Sequence, residues 1–413
     1  MTKTVAVIGA GIVGVSAALW LLRDGHRVIL IDKAGPGEGT SHGNAGVLAS
    51  SSVLPVTGPG LWLKAPRMLL DPNEPLFLKW SYLPRLLPWL WRYMSHANAD
   101  AVRKRAAAIR PIIGDSYNDH VALATGTGAE RWLHAADYIH LYKSRAAFED
   151  TGFGRSVQRD NGFECELLEG QALRDYDPIF SPALTCAARF PGHGRISDPG
   201  RYVKALAAHA QTLGARMITG EVTDIAQAGG AVSGVRIGGE SVACDAAVLT
   251  AGVWSGPLAA KLGVRPPLQS ERGYHLELCE PSVMPRAPVM VASGKFVATP
   301  MEGRLRLAGI VELGGLDLPA SEAPFALLER QIRAAIPGLS WKNTVRWMGH
   351  RPSMADSLPV IGEAPALKGA YMGFGHDHVG LTGGPKTGRL LAQLISGRTP
   401  NIDLAPYAPG RFH

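Results

Sequence analysis

Three glycines near the start of the chain carry the first chemical signal. Gly9, Gly11 and Gly14 form a GxGxxG pattern directly after the apolar run Thr4–Ile8 and before an Ala- and Leu-rich stretch. Such glycines permit a tight turn, a close approach of the backbone to a pyrophosphate and close packing of helix on strand, while the helix N-terminus attracts the anion. Asp32 ends the next apolar run, 18 residues past Gly14, where its carboxylate can bind ribose hydroxyls. The unit predicts dinucleotide binding, and an acidic residue at this point disfavours NADP.

Two later segments bear on the choice between NAD and FAD. Residues 40–46 (TSHGNAG) form a loop of small residues that can offer N–H and hydroxyl groups to a second phosphate and lie against a flat ring. Gly383 and Gly384 precede a helical stretch that begins at Thr387. The positive end of such a helix could point at a cofactor oxygen that becomes negative on reduction. Both features favour FAD.

The elements that must position these residues are dispersed along the chain. A βαβ unit opens it, a second α/β segment begins near Asp198, and a strand, a Gly-rich loop and a helix close it. Residues 276–313 alternate as an antiparallel sheet would. We predict an α/β fold with a Rossmann-like cofactor domain and an inserted α+β substrate domain on an antiparallel sheet. The expected boundaries are 1–75, 190–265 and 340–413 for the cofactor domain, and 76–189 and 266–339 for the substrate domain.

Composition excludes several classes of protein. Of the 413 residues, 46% are hydrophobic, which argues against disorder. The net charge of +7 suits an anionic ligand or a membrane surface and is too diffuse to imply nucleic acid. None of the four cysteines lies in a CxxC pair, so neither a zinc knuckle nor a disulfide framework is indicated. With no secretory leader expected, we predict a cytoplasmic protein without a metal site.

The aromatic segment 80–93 (WSYLPRLLPWLWRY) has two interpretations. Aromatic residues and arginines together are typical of a helix at a membrane interface. The alternative is a helix pair of the substrate domain that packs its aromatic side chains inward. Arginines and prolines interrupt the segment, and no run in the chain reaches the roughly 20 apolar residues of a membrane span.

With these segments in view, the chain resembles the FAD-dependent D-amino acid oxidase superfamily over nearly its whole length. It is most similar to the branch of bacterial D-amino acid dehydrogenase and hydroxyproline (imino acid) dehydrogenase, with glycine and sarcosine oxidases as relatives. The N-terminal βαβ unit is shared by many flavin and NAD enzymes, whereas the GxRP block combined with the C-terminal Gly-rich block is specific. The motifs are VAVIGAGIVGVSAALWLLRDGHRVILID, SHGNAG (41–46), DAAVLTAGVWS (245–255), GYHLEL (273–278), GHRPSMADSLPVIG (349–362) and GFGHDHVGLTGGPKTGRLLAQLISGR (373–398).

The resemblance implies a GR2-type FAD domain and a set of FAD-binding residues. The first glycines and Asp32 would hold the ADP part, Val222 would pack near the adenine, and residues 380–383 would follow the pyrimidine edge of the flavin. The covalent-flavin cysteine of sarcosine oxidases has no counterpart, so non-covalent FAD is expected. The full set is Gly9, Gly11, Ile12, Val13, Gly14, Asp32, Lys33, Ser41, His42, Asn44, Ala45, Gly46, Val47, Val222, Gly252, Trp254, Gly380, Leu381, Thr382 and Gly383.

The resemblance also implies residues that face the substrate. Arg351 matches the arginine that binds the substrate carboxylate in glycine oxidase-like relatives. Its planar fork binds a carboxylate bidentately and stays charged; the alternative is a structural arginine in a Gly-Pro turn. Tyr274 falls where an aromatic residue helps to shape the substrate pocket.

Histidines are the acid–base candidates, because an imidazole titrates near the working pH. A structural role is the alternative for each, since hydride can leave a neutral amine without a protein base. The His-Asp-His run at 376–378 departs from what we expect of a D-amino acid dehydrogenase, so the resemblance does not fix the substrate. Catalytic candidates are Arg351, Tyr274, His275 and His378, and the wider histidine set adds His42 and His376.

The expected activity is FAD-dependent oxidation of the Cα–N bond of a small D-amino or cyclic imino acid, of the D-proline or hydroxy-D-proline type. Hydride would pass from Cα to flavin N5 and leave an imine. The electron acceptor expected from this branch is a quinone or an electron-transfer chain, and peripheral contact with the inner face of a membrane stays open. One alternative is an oxygen-dependent amine oxidase of glycine or sarcosine type. Another is a non-catalytic dinucleotide-binding module, against which the GxRP block argues.

Overall fold

The computed structural model describes residues 1–71 and 73–412. The chain contains runs of consecutive strands and runs of consecutive helices as well as βαβ units. The strands are β1 (Thr4–Ile8), β2 (Arg27–Asp32), β3 (Val47–Leu48), β4 (Leu76–Leu78), β5 (Leu133–Tyr142), β6 (Glu166–Glu169), β7 (Cys186–Ile196), β8 (Arg216–Thr219), β9 (Val222–Ala228), β10 (Ala231–Ile237), β11 (Glu240–Ala243), β12 (Ala246–Leu249), β13 (Leu268–Cys279), β14 (Val289–Val291), β15 (Phe296–Met301), β16 (Arg304–Leu313), β17 (Asn343–Met354), β18 (Val360–Glu363) and β19 (Ala370–Phe374). The helices are α1 (Ile12–Arg23), α2 (Leu61–Leu70), α3 (Leu83–Ser95), α4 (Ala99–Ile113), α5 (Ser116–Ala124), α6 (Arg145–Glu149), α7 (Gly152–Asp160), α8 (Gly170–Tyr176), α9 (Pro199–Thr212), α10 (Ser255–Lys261), α11 (Ala323–Ala335) and α12 (Gly380–Ile395).

The cofactor sheet is six-stranded, in the order β18–β19–β12–β1–β2–β8. All neighbours pair in parallel except β18, which pairs antiparallel with β19. The strands are near-continuous apolar runs, as expected of parallel strands buried on both faces, and Val5, Ala6 and Val7 have no exposed surface. The N-terminal, middle and C-terminal parts of the chain all supply strands, which confirms the predicted Rossmann-like α/β arrangement.

The substrate sheet is ten-stranded and largely antiparallel. Its main path is β17–β13–β16–β15–β14–β5–β7–β3, with β4 paired to β16 and β6 to β7. β17 lies here, although residues 340–413 were expected in the cofactor domain, because its residues 343–354 pair one by one with β13. β3 likewise pairs with β7, although residues 1–75 were assigned to the cofactor domain. Pro72 and His413, within the expected segments, lie outside the described residues.

Helices α1 and α12 pack so closely that a glycine is required between them. A Cβ at Gly388 would lie 2.6 Å from the Ala17 amide nitrogen. Helix α4 joins the same core through the stripe Val102, Ala106 and Ile109, whose spacing places these side chains on one helical face. Part of segment 76–189, expected in the substrate domain, therefore packs with the cofactor layer.

Two predicted elements have different bounds in the structure. Helix α12 begins at Gly380 and not at Thr387, because Gly383 and Gly384 lie inside it. Glycine disfavours a helix interior, but here it permits contact: a Cβ at either position would lie within 3 Å of an isoleucine side chain. From the sequence we expect residues 216–225 to form one strand; in the structure they divide into β8 and β9, which belong to different sheets.

Helix α3 has features of both interpretations of the aromatic segment: one face packs inward, and the other exposes apolar side chains. Leu86, Trp89 and Tyr93 are buried on its inner face, whereas Leu87 and Trp91 are exposed on its outer face. Within residues 1–71 and 73–412, no helix is long and apolar enough to cross a membrane.

Candidate active site

A single large cavity of about 1180 Å³ joins the cofactor sheet to the substrate sheet. Its wall includes the loop after β1, the loop 39–45, the start of α12 and one face of β13, β16 and β17. From there it continues beneath α2 and α3, where its lining is apolar. The predicted cofactor and substrate residues therefore meet around one space.

The glycine loop after β1 has the conformation that its sequence predicts. Gly9 has φ +103°, and a Cβ there would lie 2.6 Å from the carbonyl oxygen of Thr250. A Cβ at Gly14 would lie 1.9 Å from Gly9 O, so Gly14 serves the packing of helix on strand and does not line the cavity. Gly9, Gly11, Ile12 and Val13 do line it.

Asp32 fixes the turn that follows β2 while facing the cavity. Its carboxylate accepts hydrogen bonds from the amides of Ala10 at 2.7 Å, Ala34 at 2.8 Å and Gly35 at 3.1 Å. It also lines the cavity, and an ionised carboxylate has further lone pairs for a ribose hydroxyl. Four more of the predicted residues line the same region, namely Lys33, Val222, Gly252 and Trp254. The Lys33 ammonium lies 3.9 Å from the centroid of the Trp254 ring.

The loop 40–46 is held by hydrogen bonds from both layers. Ser41 Oγ accepts from the Ile12 amide at 3.0 Å, and Asn44 Oδ1 accepts from the Gly46 amide at 2.8 Å. Ser41, Asn44, Ala45 and Val47 line the cavity. His42 and Gly46, predicted with them, lie behind the wall: His42 contacts the backbone near Gly200, and a Cβ at Gly46 would lie 2.6 Å from Ile196 O.

A buried arginine that sequence reasoning missed locks this loop to the substrate sheet. Arg306, 1% exposed, donates from Nη1 to His42 O at 2.9 Å and to Asn44 O at 2.6 Å. Its Nε and Nη2 donate to Glu277 Oε1 at 2.9 and 2.6 Å. Burial by itself raises the pKa of Glu277, but Arg306 and Arg304 outweigh it and the net pKa is lowered. The only sequence signal is a charged residue at an inward position of a strand.

The first turn of α12 presents backbone N–H groups to the cavity. Gly380, Leu381 and Thr382 line it, whereas Gly383 faces α4, where its Cβ would lie 2.7 Å from Ile112 Cγ2. Helix α5 braces the turn: His120 Nε2 lies 2.8 Å from Leu381 O and Ser116 Oγ donates to Thr382 O at 2.7 Å. The positive end of α12 is thus held at the cavity wall.

Arg351 lies on the cavity face of the substrate sheet. A Cβ at Gly273 would lie 2.6 Å from the Arg351 Cζ, so that glycine makes room for the guanidinium. Within the described residues, Arg351 Nη1 donates to Ile310 O at 3.3 Å, a long bond that leaves other donors of the fork for a ligand. Burial lowers the pKa of Arg351, and Glu271, directly opposite on β13, partly offsets this.

His378 and His376 both line the cavity, so the expectation from their spacing in the sequence, that both could not easily face one pocket, is wrong. His378 is exposed to the cavity, and burial together with Arg351 lowers its pKa to about 4. His376 is 3% exposed and its Nε2 lies 2.9 Å from Thr387 Oγ1. His376 therefore braces α12, while His378 is available to a ligand.

Two predicted catalytic residues have their functional groups directed elsewhere. The Tyr274 hydroxyl donates to Glu312 Oε2 at 2.7 Å, and its ring packs on Phe325 in the core beneath the sheet. His275 does not line the cavity: it is 1% exposed and stacks on Trp347 at 5.0 Å, and burial lowers its pKa to about 3. Alternation along β13 places the Tyr274 side chain on the face opposite Glu271 and Gly273. His275 is on the same face as Glu271 but is covered by Trp347 and by the backbone of Gly43.

Several cavity residues were not singled out from the sequence. Trp347 closes one side, packed so tightly that a Cβ at Gly43 or Gly349 would lie within about 2.0 Å of its ring. Glu271, Asp377 and Tyr93 lie at the end near Arg351. Only the register of β13 with β17 and the packing of α3 bring these residues together.

Metal and thiol chemistry find no matching arrangement in the described part of the chain. Residues 1–71 and 73–412 contain no group of His, Cys, Asp or Glu side chains that could hold a metal ion. The cysteines are free, and none of the four lines the cavity.

Comparison with known proteins assigns this arrangement to one family. Residues 4–394 match the family described as FAD dependent oxidoreductase. The chain is 40% identical, over 99% of both chains, to a D-amino-acid oxidase of Bradyrhizobium diazoefficiens. Its fold is similar to that of glycine oxidase from Geobacillus kaustophilus, with 23% identity, a TM-score of 0.77 and 99% of both chains covered. It is also similar to L-proline dehydrogenase from P. horikoshii, with 18% identity, a TM-score of 0.72, and 100% and 98% of the two chains covered.

Proposed function

The chain belongs to the FAD dependent oxidoreductase family, and from that premise we propose that it oxidises a small D-amino or cyclic imino acid of the D-proline or hydroxy-D-proline type. That it is a flavoprotein acting on the CH–NH group of amino acids follows from the family and its 40% identical relative. The substrate class rests on the D-amino-acid oxidase and L-proline dehydrogenase names among the similar proteins, and on the chemistry of the cavity.

The cavity wall fits FAD at the glycine loop after β1 and at Asp32. Gly11 lines the cavity without a side chain, so a pyrophosphate can approach the main chain at the start of α1, while Gly9 and Gly14 permit the tight packing of the turn and the helix. Asp32 would hold the ribose, Ser41 and Asn44 would lie near the pyrophosphate, and the α12 N-terminus would face the pyrimidine edge. With no cysteine on the wall, we expect non-covalent FAD that acid precipitation releases into the supernatant; a yellow pellet would contradict this.

Arg351 carries the proposal for the substrate. When bound, the flavin supplies at N5 an acceptor for the hydride that leaves the substrate Cα. Arg351 grips the substrate carboxylate, and a bidentate guanidinium fixes both position and rotation of the acid group. Because its one long hydrogen bond runs to the sheet backbone, the fork is oriented before the ligand arrives. Holding the substrate in a fixed orientation lowers the activation barrier relative to a reaction between freely diffusing partners.

The apolar part of the wall keeps water from the reacting carbon. Val297, Met290 and Ala308 line the cavity on the substrate sheet, and they offer no group that could attack the product. The imine that leaves the site then hydrolyses or cyclises in water. A carboxylate anchor beside an apolar wall suits recognition of a small amphipathic acid.

Anaerobic bleaching of the flavin tests the proposal. We expect D-proline and hydroxy-D-proline to bleach it faster than L-proline, glycine and sarcosine. Bleaching by none of them, or by L-proline alone, would contradict the proposed substrate. Oxygen uptake with peroxide release, measured beside dye reduction, separates the proposed dehydrogenase from the oxidase alternative.

We also propose that electrons leave to a membrane-bound acceptor such as a quinone. The α2–α3 surface, defined as Trp62, Leu63, Trp80, Leu87 and Trp91, exposes large apolar side chains on adjacent elements; Leu63 is 87% and Trp91 73% exposed. Residues 75–98 contain three cations and no acidic residue, which suits anionic lipid. Residues of the same elements line the cavity, so a lipophilic acceptor could enter from this side.

Co-sedimentation with lipid vesicles tests this contact. We expect binding to vesicles that contain phosphatidylglycerol, weaker binding to pure phosphatidylcholine, and loss of binding in a Leu87→Ser, Trp91→Ser double variant. The matched control is Val345→Ser, which removes an exposed apolar side chain elsewhere. Equal sedimentation of the double variant would contradict a role for this surface.

A further inference from the structure

The cavity end that holds Arg351 also holds a buried carboxylate. Glu271 on β13 lies directly opposite Arg351 on β17, and residues opposite each other in an antiparallel pair project to the same face. Glu271 is 7% exposed and lines the cavity. An anion and a cation thus stand side by side, in the arrangement that the two charges of an amino acid require.

The contacts of Glu271 leave part of its carboxylate for a ligand. Ser353 Oγ donates to its Oε1 at 2.9 Å. Burial raises the pKa of Glu271, while Arg351 and the Ser353 hydrogen bond lower it in part. A carboxylate with a raised pKa is a better proton acceptor than one in water.

The other charged and titratable groups near this end lie in the loop before α12, on α3, on α4 (Arg105) and in the loop after β17 (Asp356). Asp377, in the loop before α12, accepts from the Met354 amide at 2.7 Å, and burial together with Glu271 raises its pKa well above the usual value. His378 in the same loop is neutral above a pH of about 4. Tyr93 of α3 completes the set, and burial together with Glu271 raises its pKa. Of these groups, Glu271 is the one that lies directly opposite Arg351 across the β13–β17 pair.

We infer that Glu271 binds the nitrogen end of the substrate and takes its proton before Cα–H bond cleavage. This rests on the proposed function and deepens it. An amino or imino acid arrives as a zwitterion, with its carboxylate on Arg351 and its ammonium on Glu271. One N–H proton passes to the free Glu271 oxygen, and the N–H bonding pair stays on nitrogen as a lone pair. That lone pair forms the C=N bond as hydride leaves Cα, and bound FAD would be the acceptor of the two electrons that the substrate loses with that hydride.

The first test compares pH profiles of anaerobic flavin bleaching for the wild type and Glu271→Gln. At neutral pH we expect the variant to bleach about 10²- to 10⁴-fold more slowly, the range for loss of a general base. Its rate should rise with pH and approach that of the wild type as the free substrate amine loses its proton. A variant profile that parallels the wild type at every pH would overturn the inference.

The second test uses tetrahydrofuran-2-carboxylate, which keeps the acid but lacks the amine, and reads binding from the flavin absorbance. Glu271→Gln should bind it as tightly as the wild type or more tightly. A loss of more than about 10-fold would mean that Glu271 only supports Arg351, and would overturn the inference. Glu280→Gln, an exposed position just beyond β13, makes the same change in charge as a control. Failure of any amino or imino acid to bleach the wild type would instead refute the proposed function.

Discussion

Two arginines of the substrate sheet show how the same side chain can serve the fold or a ligand. Arg306 has its donors taken by Glu277 and by two carbonyls of the loop 42–44. Arg351 lies two strands away, and within the described residues its hydrogen bond is a 3.3 Å contact to a carbonyl. Both are enclosed by protein, but only Arg351 lines the cavity. Satisfied donors mark Arg306 as part of the scaffold, and free donors mark Arg351 as part of the site.

The pairing of charges differs in the same way. Glu277 contacts Arg306 at 2.6 Å and Arg304 at 2.8 Å, so charge is balanced within the protein. Glu271 and Arg351 share a face without such contacts to each other in the described structure. A zwitterion placed between them would complete both, which is what a site for amino acids needs.

Removal of the ligand-binding arginine, Arg351, should have the largest effect on activity. We expect Arg351→Met to lower kcat/KM for carboxylated substrates about 10³-fold, because a buried charge partner of the substrate is lost. FAD content should stay intact. The matched control is Arg346→Met on the same strand as Arg351. It removes an exposed ion pair with Glu322 and should change the kinetics little. Unchanged kinetics in Arg351→Met would remove this arginine from the site.

Removal of the structural arginine, Arg306, should leave substrate specificity unchanged and lower the stability of the protein. Arg306→Met leaves Glu277 without its closest partner and frees the loop 42–44. We expect a loss of about 3 kcal/mol in the free energy of unfolding, together with weaker FAD retention on gel filtration. Arg333→Met, which removes an exposed pair with Glu329, controls for the loss of charge. Full FAD retention with a lowered kcat would reverse the roles assigned to the two arginines.

His120, which braces the first turn of α12, should make the stability of the protein depend on pH. His120 has no exposed surface, and burial lowers its pKa to about 4, below the unfolded value of about 6.5. Its stabilising contribution is therefore complete above pH 6.5 and is lost as the pH falls toward 4, by about 3 kcal/mol in all. We expect His120→Gln to be less stable at neutral pH but to lose stability less steeply in urea titrations between pH 7 and pH 5. An equally steep loss would exclude His120 as the source.

The smallest effect concerns the glycine that faces away from the cavity. Gly383→Ala should cost about 1–3 kcal/mol of stability through overpacking against Ile112. Because the Cβ points to α4, the affinity for FAD measured on the folded variant should hardly change. Loss of FAD without loss of thermal stability would place Gly383 on the cofactor side after all.

The sequence predicted the cofactor layer better than the substrate layer, for a physical reason. Gly9, Gly11, Gly14 and Asp32 act through local backbone geometry, so their spacing alone predicts the turn. The same logic failed at α12, where Gly383 and Gly384 are helical because of neighbours far away in the chain.

The substrate end depends on strand register, which spacing does not reveal. A shift of one residue along β13 exchanges the faces of Tyr274 and His275, and both were expected at the site. Glu271 and Trp347 reach the cavity because β13 pairs with β17 in the observed register. Arg351 was found only through the resemblance of its GxRP block, since nothing local to it distinguishes a ligand arginine from one like Arg306.

The most direct test of the role of Arg351 compares an acid with its amide in stopped-flow bleaching of the flavin. D-proline and D-prolinamide should reduce the flavin at rates that differ more than about 100-fold in the wild type, because only the acid engages the guanidinium. In Arg351→Met that preference should fall to near unity. An acid preference that survives in the variant would show that another group holds the carboxylate, and would contradict the carboxylate-binding role of Arg351.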